Sequence, residues 1–120
     1  MPAKTITIFS NKGGVGKTFV CVNAAVTFAL LHKKTLIIDL DFQAGQDMAR
    51  MLNLAPVKSI VDILPEMHDT MTADDIKKLM SAHSSGLDFI PAVTSIHQAG
   101  HITPDNVKFF LKKVIPHYDY

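Results

Sequence analysis

The feature that most constrains the fold is a glycine-rich loop between a β-branched run and a long apolar segment. Ile6, Ile8 and Phe9 precede the loop and predict a strand. Residues 17–31 contain neither Gly nor Pro and are apolar on nearly every side, which predicts a buried helix. Between them lies the loop, Asn11-Lys12-Gly13-Gly14-Val15-Gly16-Lys17-Thr18. A strand, a glycine loop and a helix in this order are the setting of a phosphate-binding site.

The residue types in this loop match the chemistry of phosphate and Mg²⁺. Gly13, Gly14 and Gly16 allow the backbone to curl so that successive N–H groups point at phosphate oxygens. Lys17 would reach the β and γ phosphates, and the Thr18 hydroxyl would take one position on Mg²⁺. The loop therefore predicts the phosphates of a nucleotide and Mg²⁺ as ligands. The alternative is a glycine-rich turn with a chance Gly-Lys-Thr sequence, which the flanking strand and helix disfavour.

Strand and helix patterns alternate along the rest of the chain. The continuous apolar runs at 35–40 and 87–90 predict strands. Helical patterns are predicted at 48–52, at 59–64, from Thr72 to the turn at 84–86, and from Thr103 to Val114. This alternation predicts one α/β domain with a parallel sheet and helices on both faces, joined by right-handed crossovers.

The loop departs from the ordinary Gly-x-x-x-x-Gly-Lys-Ser/Thr pattern at its first positions. Asn11 stands where the first glycine belongs, and a second lysine, Lys12, follows at once. Lys-Gly-Gly-x-Gly-Lys-Thr resembles the deviant Walker A motif of the ParA/MinD family of ATPases. The resemblance implies a Rossmann-like P-loop NTPase fold, ATP or ADP as the bound nucleotide, and a nucleotide-sandwich dimer. In such a dimer, Lys12 of one copy reaches the phosphates bound by the other copy and stabilises the transferring phosphoryl group. The alternative for Lys12 is a solvated loop lysine.

Two carboxylates follow the strand predicted at 35–40. Because residues two apart in a strand face the same way, Asp39 and Asp41 are expected to point toward one Mg²⁺. Their segment resembles the first switch region of the same family. By that resemblance, Asp41 would orient the attacking water, and Asp39 would bind Mg²⁺ or Mg²⁺-bound water. The alternative is that one of them, Asp39 in particular, caps a helix.

Within that family the chain is similar to the CpaE/TadZ-type pilus-assembly ATPases. The similarity rests on residues 39–47, 59–64, 83–87 and 118–120. It implies an ATPase that positions a pilus or secretion machine and that has a protein partner in such a polar machine. In the family the segment 118–120 leads into the strand of the second switch aspartate. Residues 1–120 are therefore expected to be the N-terminal part of one P-loop ATPase domain, C-terminally truncated, without the second switch strand and the base-binding part.

The same resemblance predicts an unpaired strand edge. The absent strand would lie beside the strand that leads into the loop, so Ile6-Thr7-Ile8 would present its backbone to solvent. Unpaired strand edges bind other chains. We therefore expect this chain to self-associate through swapped or added strands, in addition to forming the nucleotide-sandwich dimer.

Composition narrows the compartment and the partners. Apolar residues make up 48% of the chain, and 12 Lys and Arg nearly balance 11 Asp and Glu, which excludes wholesale disorder and a polybasic nucleic-acid coat. The single cysteine, Cys21, excludes an internal disulfide framework, and the apolar stretch at 19–31 is short for a membrane span. The amino terminus has no secretory signal pattern. We expect a cytoplasmic protein, with polar placement or peripheral contact with the inner membrane left open.

Three further interpretations stay open. A partition ATPase that binds non-specific DNA is not favoured by the charge balance, but the family's basic surface often lies outside the part present here. Phe19 stands where many members place a second Ser or Thr on the α-phosphate, which suggests a nucleotide-dependent scaffold that does not hydrolyse. His97 and His101 have the spacing of two metal ligands on a helix, but Gly100 and Pro104 disfavour that helix and no third ligand is evident.

Overall fold

The computed structural model describes residues 3–10, 16–42, 46–56 and 58–120 of the chain. The helices of this part are α1 (Lys17–Leu30), α2 (Asp47–Met51), α3 (Ile60–Ile63), α4 (Ala73–Leu79) and α5 (Pro104–Val114). Its strands are β1 (Leu36–Asp39), β2 (Ser81–Ala82) and β3 (Asp88–Pro91). Short 3-10 helices lie after α3, β3 and α5, at Leu64–Glu66, Ile96–His101 and Ile115–His117. None of the described helices is long and apolar enough to cross a bilayer.

The strands form a sheet in the order β1, β3, β2. β1 and β3 are parallel, with Leu36 beside Asp88 and Asp39 beside Pro91, so the two strands end at the same edge. β2 adds two residues antiparallel to β3. The predicted parallel pairing is confirmed for the two longer strands, and β2 makes the sheet mixed.

Helices cover both faces of this sheet, as the alternation predicts. On one face, Ile37 of β1 and Phe89 of β3 pack with α1 and α2. On the other face, Leu36, Ile38 and Ile90 pack with α3, α4 and α5. The strand side chains divide between the two clusters because successive residues of a strand point to opposite faces. The result is the α/β arrangement expected of a P-loop NTPase domain.

Local signals set the starts of three helices. Ser59, Thr72 and Thr103 are N-caps of α3, α4 and α5, and each forms a reciprocal capping box with the residue three positions later. The caps predicted at Thr72 and Thr103 are confirmed. The predicted end of the α4 segment at 84–86 is wrong. That helix stops at Leu79, because the chain extends there and β2 pairs with β3.

The strand predicted before the glycine loop is not formed. The structure assigns no strand to residues 3–10, where Ile6 is 59% and Phe9 is 81% exposed. Lys4 N–H donates to the Asp119 carbonyl over 2.8 Å, and Asp119 N–H in turn donates to the Lys34 carbonyl over 2.7 Å. Asp119 thus forms backbone hydrogen bonds with both Lys4 and Lys34. Its contact with the segment 3–10 lies at the start of that segment. A β-branched run becomes a strand only where a neighbouring strand accepts its hydrogen bonds.

Candidate nucleotide-binding site

The start of α1 carries the part of the glycine loop that the structure describes. Gly16 precedes the helix with φ of 87° and ψ of 14°, in the left-handed region that favours glycine. A Cβ atom there would meet no neighbour within 4 Å, so backbone conformation rather than space requires the glycine. Lys17 is the first helical residue and is exposed, and Thr18 is half-buried. The other predicted loop ligands lie outside the described residues: Asn11, Lys12, Gly13, Gly14 and Val15.

The amino terminus of α1 differs from those of α3, α4 and α5. No side chain caps it, and its first turn holds no acidic residue. The other three helices each have a capping box and an acidic residue in the first turn. A helix start without a cap keeps its N–H groups and its positive dipole end for an anion. The start of α1 is therefore suited to a phosphate group held by the glycine loop.

Asp39 and Asp41 lie together at the carboxyl end of β1. Asp39 is the last residue of the strand, and its carbonyl accepts a hydrogen bond of 2.7 Å from Ala92 N–H, just after β3. Asp41 lies beyond the strand, and its N–H donates to Asp39 Oδ1 over 3.0 Å. This hydrogen bond joins the two residues where the strand ends. That both carboxylates face one Mg²⁺ stays a prediction. The N-cap of the following helix α2 is Gln46, so neither carboxylate caps it.

Asp39 links the strand end to α1 electrostatically. Burial is the largest cause that raises the pKa of Asp39, and the charge of Asp41 also raises it, whereas the Lys17 ammonium lowers it. Burial, and then the negative charge of Asp39, raise the pKa of the Cys21 thiol. Lys17 and Cys21 are four residues apart on α1 and therefore share a face of that helix. The Lys17 ammonium thus interacts electrostatically with the carboxylate at the end of β1. That the two residues belong to one nucleotide site stays a prediction.

The donor atoms at this edge fit Mg²⁺. Nucleotide sites hold Mg²⁺ with one or two carboxylates together with phosphate oxygens and water, and Thr18, Asp39 and Asp41 supply oxygen donors of that kind. In the ranges that the structure describes, no group of three or more His, Cys, Asp or Glu side chains could hold a metal ion by itself. His97 and His101 are exposed in the 3-10 helix after β3.

Comparison of the sequence with protein-family models shows the family to which the chain belongs. The family model described as AAA domain matches residues 3–120. The chain belongs to the AAA domain family.

Three curated relatives narrow the assignment within the AAA domain family. The septum site-determining protein MinD of Thermotoga maritima is 30% identical over 116 residues, which are 96% of this chain and 41% of that protein. An uncharacterized ATP-binding protein of Methanocaldococcus jannaschii is also 30% identical over 116 residues, 96% of this chain and 41% of that protein. The chromosome-partitioning ATPase Soj of Treponema pallidum is 41% identical over 61 residues, 51% of this chain and 23% of that protein.

These relatives confirm the resemblance to the ParA/MinD-type ATPases at the level of the family. The chain is a ParA/MinD-type member of the AAA domain family. It spans less than half the length of each of the three relatives. The similarity to the CpaE/TadZ subgroup stays a prediction.

The same edge of the sheet carries a polar network of Gln46, Ser59, Asp62, Thr94 and Gln98. No sequence pattern connects these residue types with nucleotide binding, and the hydrogen bonds join positions far apart in the chain. The one signal available in the sequence is place: Thr94 and Gln98 follow the predicted strand at 87–90, and the carboxyl ends of parallel strands share an edge.

Proposed function

We propose that this chain is the phosphate-binding part of a ParA/MinD-type ATPase that binds ATP with Mg²⁺, dimerises, and hydrolyses the nucleotide to reset. The observation that supports this best is the uncapped start of α1, where Lys17 lies in the field of Asp39 at the end of β1. In the full-length protein this switch positions a pilus or secretion machine. It acts in the cytoplasm through a protein partner in that machine.

Hydrolysis requires an oriented water and stabilised phosphate oxygens. Asp41 orients the water, whose oxygen forms a bond to the γ-phosphorus while the bond from that phosphorus to the bridging oxygen of ADP breaks. Lys17 stabilises the charge on the β and γ oxygens. Thr18 and Asp39 would hold Mg²⁺, which when bound would neutralise phosphate charge. The proton of the attacking water leaves with the phosphate product or to solvent.

Lys12 acts across the dimer in this proposal. Its ammonium reaches the phosphates bound by the other copy and stabilises the charge that develops during transfer, as an arginine finger does in related chemistry. Hydrolysis then depends on dimerisation, whereas binding of nucleotide by one copy does not. The switch therefore proceeds in a fixed order: one copy binds nucleotide, two copies dimerise, and hydrolysis follows.

Phosphate release by the full-length protein tests the proposal. We expect Lys12→Ala to reduce turnover by about 10³-fold or more while one copy still binds nucleotide. Lys17→Ala should reduce both binding and turnover. Lys108→Ala changes an exposed lysine of α5 and serves as the matched control. Unchanged turnover in Lys12→Ala would contradict the role across the dimer, and wild-type binding without any turnover would favour a nucleotide-dependent scaffold.

Binding of non-specific DNA is a second candidate, supported by the similarity to one relative, the chromosome-partitioning ATPase Soj of Treponema pallidum. The chain itself has a formal net charge of only +1, so a DNA surface would lie elsewhere in the full-length protein. Phosphate release measured with and without DNA separates this candidate from the first. Stimulation by DNA that disappears at high salt would favour the partition function.

We also propose that the 120-residue chain self-associates through swapped or added strands. The exposed apolar side chains Ile6, Phe9 and Phe19 support this, because a strand added by another copy would cover such side chains. Light scattering at increasing protein concentration should show species larger than one copy. A monodisperse single copy would contradict the proposal.

A further inference from the structure

Two loops at the carboxyl edge of the sheet are joined by glutamine side chains. Gln46, just before α2, donates through Nε2 to the Thr94 carbonyl over 3.1 Å. Thr94, in the loop after β3, donates to Gln98 Oε1 from its N–H over 2.8 Å and from its hydroxyl over 3.1 Å. Gln98 Oε1 thus accepts both hydrogen bonds that Thr94 donates, and the Thr94 carbonyl accepts the hydrogen bond from Gln46.

Gln98 is itself anchored to the start of α3. Its Nε2 donates to Asp62 Oδ1 over 2.9 Å, and its Oε1 lies 3.1 Å from the hydroxyl of Ser59. Ser59 is fully buried and forms the capping box of α3 with Asp62. Because that capping box fixes both partners, the amide of Gln98 has one orientation and Thr94 is held at a defined place.

Gln46 has a backbone conformation that needs support. Its φ of 59° and ψ of 22° lie in the left-handed region, where residues other than glycine are strained. Although Gln46 is the N-cap of α2, its side chain makes no capping hydrogen bond. Instead it reaches the Thr94 carbonyl. The side chain therefore serves a contact between loops and not the helix that it precedes.

The two ends of the chain segment from Asp39 to Gln46 are tied to one short stretch after β3. The Asp39 carbonyl accepts from Ala92 N–H over 2.7 Å, and Gln46 donates to the carbonyl of Thr94, two residues further on. Asp41 lies between these two ties. Both ends of the segment that carries the candidate Mg²⁺ carboxylates therefore depend on the position of residues 92–94.

We infer that Gln46 and Gln98 are positioning residues that fix the direction in which Asp39 and Asp41 present their carboxylates to the Mg²⁺ of a bound nucleotide. This inference rests on the proposed nucleotide site. Neither glutamine touches the nucleotide: both act through Thr94, which lies two residues after Ala92, the backbone partner of Asp39. Loss of either side chain should weaken the metal-dependent part of nucleotide binding and leave the part due to the glycine loop.

The test measures binding of a fluorescent ADP to the full-length protein, with Mg²⁺ and with EDTA. The variants are Gln46→Gly, which accepts the positive φ but loses the contact with Thr94, and Gln98→Ala. The control is Thr72→Ala, which removes the capping box of α4 and so matches the expected loss of stability without touching the two loops. For both glutamine variants we expect the enhancement of affinity by Mg²⁺ to fall about fivefold or more. Affinity in EDTA should stay unchanged.

The outcomes separate this inference from the proposed function. Wild-type Mg²⁺ enhancement in both glutamine variants would overturn the inference and leave the proposed function intact. Equal losses in both glutamine variants and in Thr72→Ala would also overturn it, because the effect would then follow stability alone. A wild-type protein that does not bind ADP in either condition would overturn both. Gln46→Gly keeps the assay decisive if Gln98→Ala fails to fold.

Discussion

On one face of the sheet, Ile60, Ile63 and Phe110 are fully buried between the strands and helices α3 and α5. On the other face, α1 buries only Val22, Ala25 and Ala29, and large apolar side chains along it stay exposed. Phe19 is 61% exposed and Leu30 is 63% exposed. The face of the sheet that α3, α4 and α5 cover, called the α3–α5 face below, therefore holds a complete hydrophobic core. On the other face, one side of α1 packs against the sheet, and the apolar side chains on its other side stay exposed.

The helix starts differ in the same way. Capping boxes stabilise α3, α4 and α5, but the N-caps of α1 and α2 are Gly16 and Gln46, both in the left-handed region and without a side-chain cap. Capping stabilises a helix by satisfying the N–H groups of its first turn. On α1 those groups stay available for phosphate. The comparison places the capped helices α3, α4 and α5 on one face of the sheet and the uncapped helices α1 and α2 on the other.

The largest expected effect is a difference in the free energy of unfolding between substitutions of one phenylalanine on each face. Phe110→Ala should lower the free energy of unfolding by about 3–5 kcal/mol, because it opens a cavity in the complete core. Phe19→Ala should change it by no more than about 0.5 kcal/mol, because the side chain is exposed. Chemical denaturation measures both variants. Similar losses from the two substitutions would break the comparison.

A second pair of substitutions compares the two tyrosines near the end of the chain. The hydroxyl of Tyr118, on the α3–α5 face, donates over 2.8 Å to Asp88, which is 2% exposed and also pairs with Lys77. Tyr118→Phe should cost about 1–3 kcal/mol, because a buried carboxylate loses a donor. Tyr120 stacks on Phe28 of α1 with ring centroids 4.3 Å apart. Tyr120→Phe keeps that stacking and should cost no more than about 0.5 kcal/mol, so equal costs would count against the comparison.

The smallest effect is a pH dependence of the same contact. Burial, followed by the hydrogen bond to Asp88, raises the pKa of Tyr118 above its ordinary value of 10.0. The folded chain therefore holds this proton at pH values where the unfolded chain has lost it, and stability falls as pH rises above about 10. Unfolding measured from pH 8 to 11 should show a steeper loss for the wild type than for Tyr118→Phe. If the free energies of unfolding of both proteins fell in parallel with pH, the contact of Tyr118 with Asp88 would not contribute to the stability of the α3–α5 face.

Features that depend on neighbours in sequence are the ones that could be predicted. Thr72 and Thr103 cap the helices that they precede, because a capping box involves residues only three positions apart. The helix α1 follows from an apolar segment without Gly or Pro. The contact between Asp39 and Asp41 is also local, because a hydrogen bond from Asp41 N–H to Asp39 Oδ1 joins residues only two positions apart.

Features that depend on distant partners could not be predicted. The β-branched run at 5–9 has the local character of a strand, but a strand also requires a neighbour that accepts its hydrogen bonds. The contact between Gln46 and Thr94 joins residues 48 positions apart, and no local pattern indicates which carbonyl a glutamine will reach. The end of α4 at Leu79 was likewise decided by the pairing of β2 with β3.

Calorimetric binding of ADP with Mg²⁺ to the full-length protein tests most directly whether the start of α1 is a nucleotide site. The variants are Lys17→Ala, at the first residue of α1, and Lys108→Ala, an exposed lysine of the capped helix α5. We predict that Lys17→Ala weakens binding by about tenfold or more, because one charged hydrogen-bond donor to phosphate is lost. Lys108→Ala should bind as the wild type does. Equal affinity in all three proteins, or no binding by the wild type, would contradict the account.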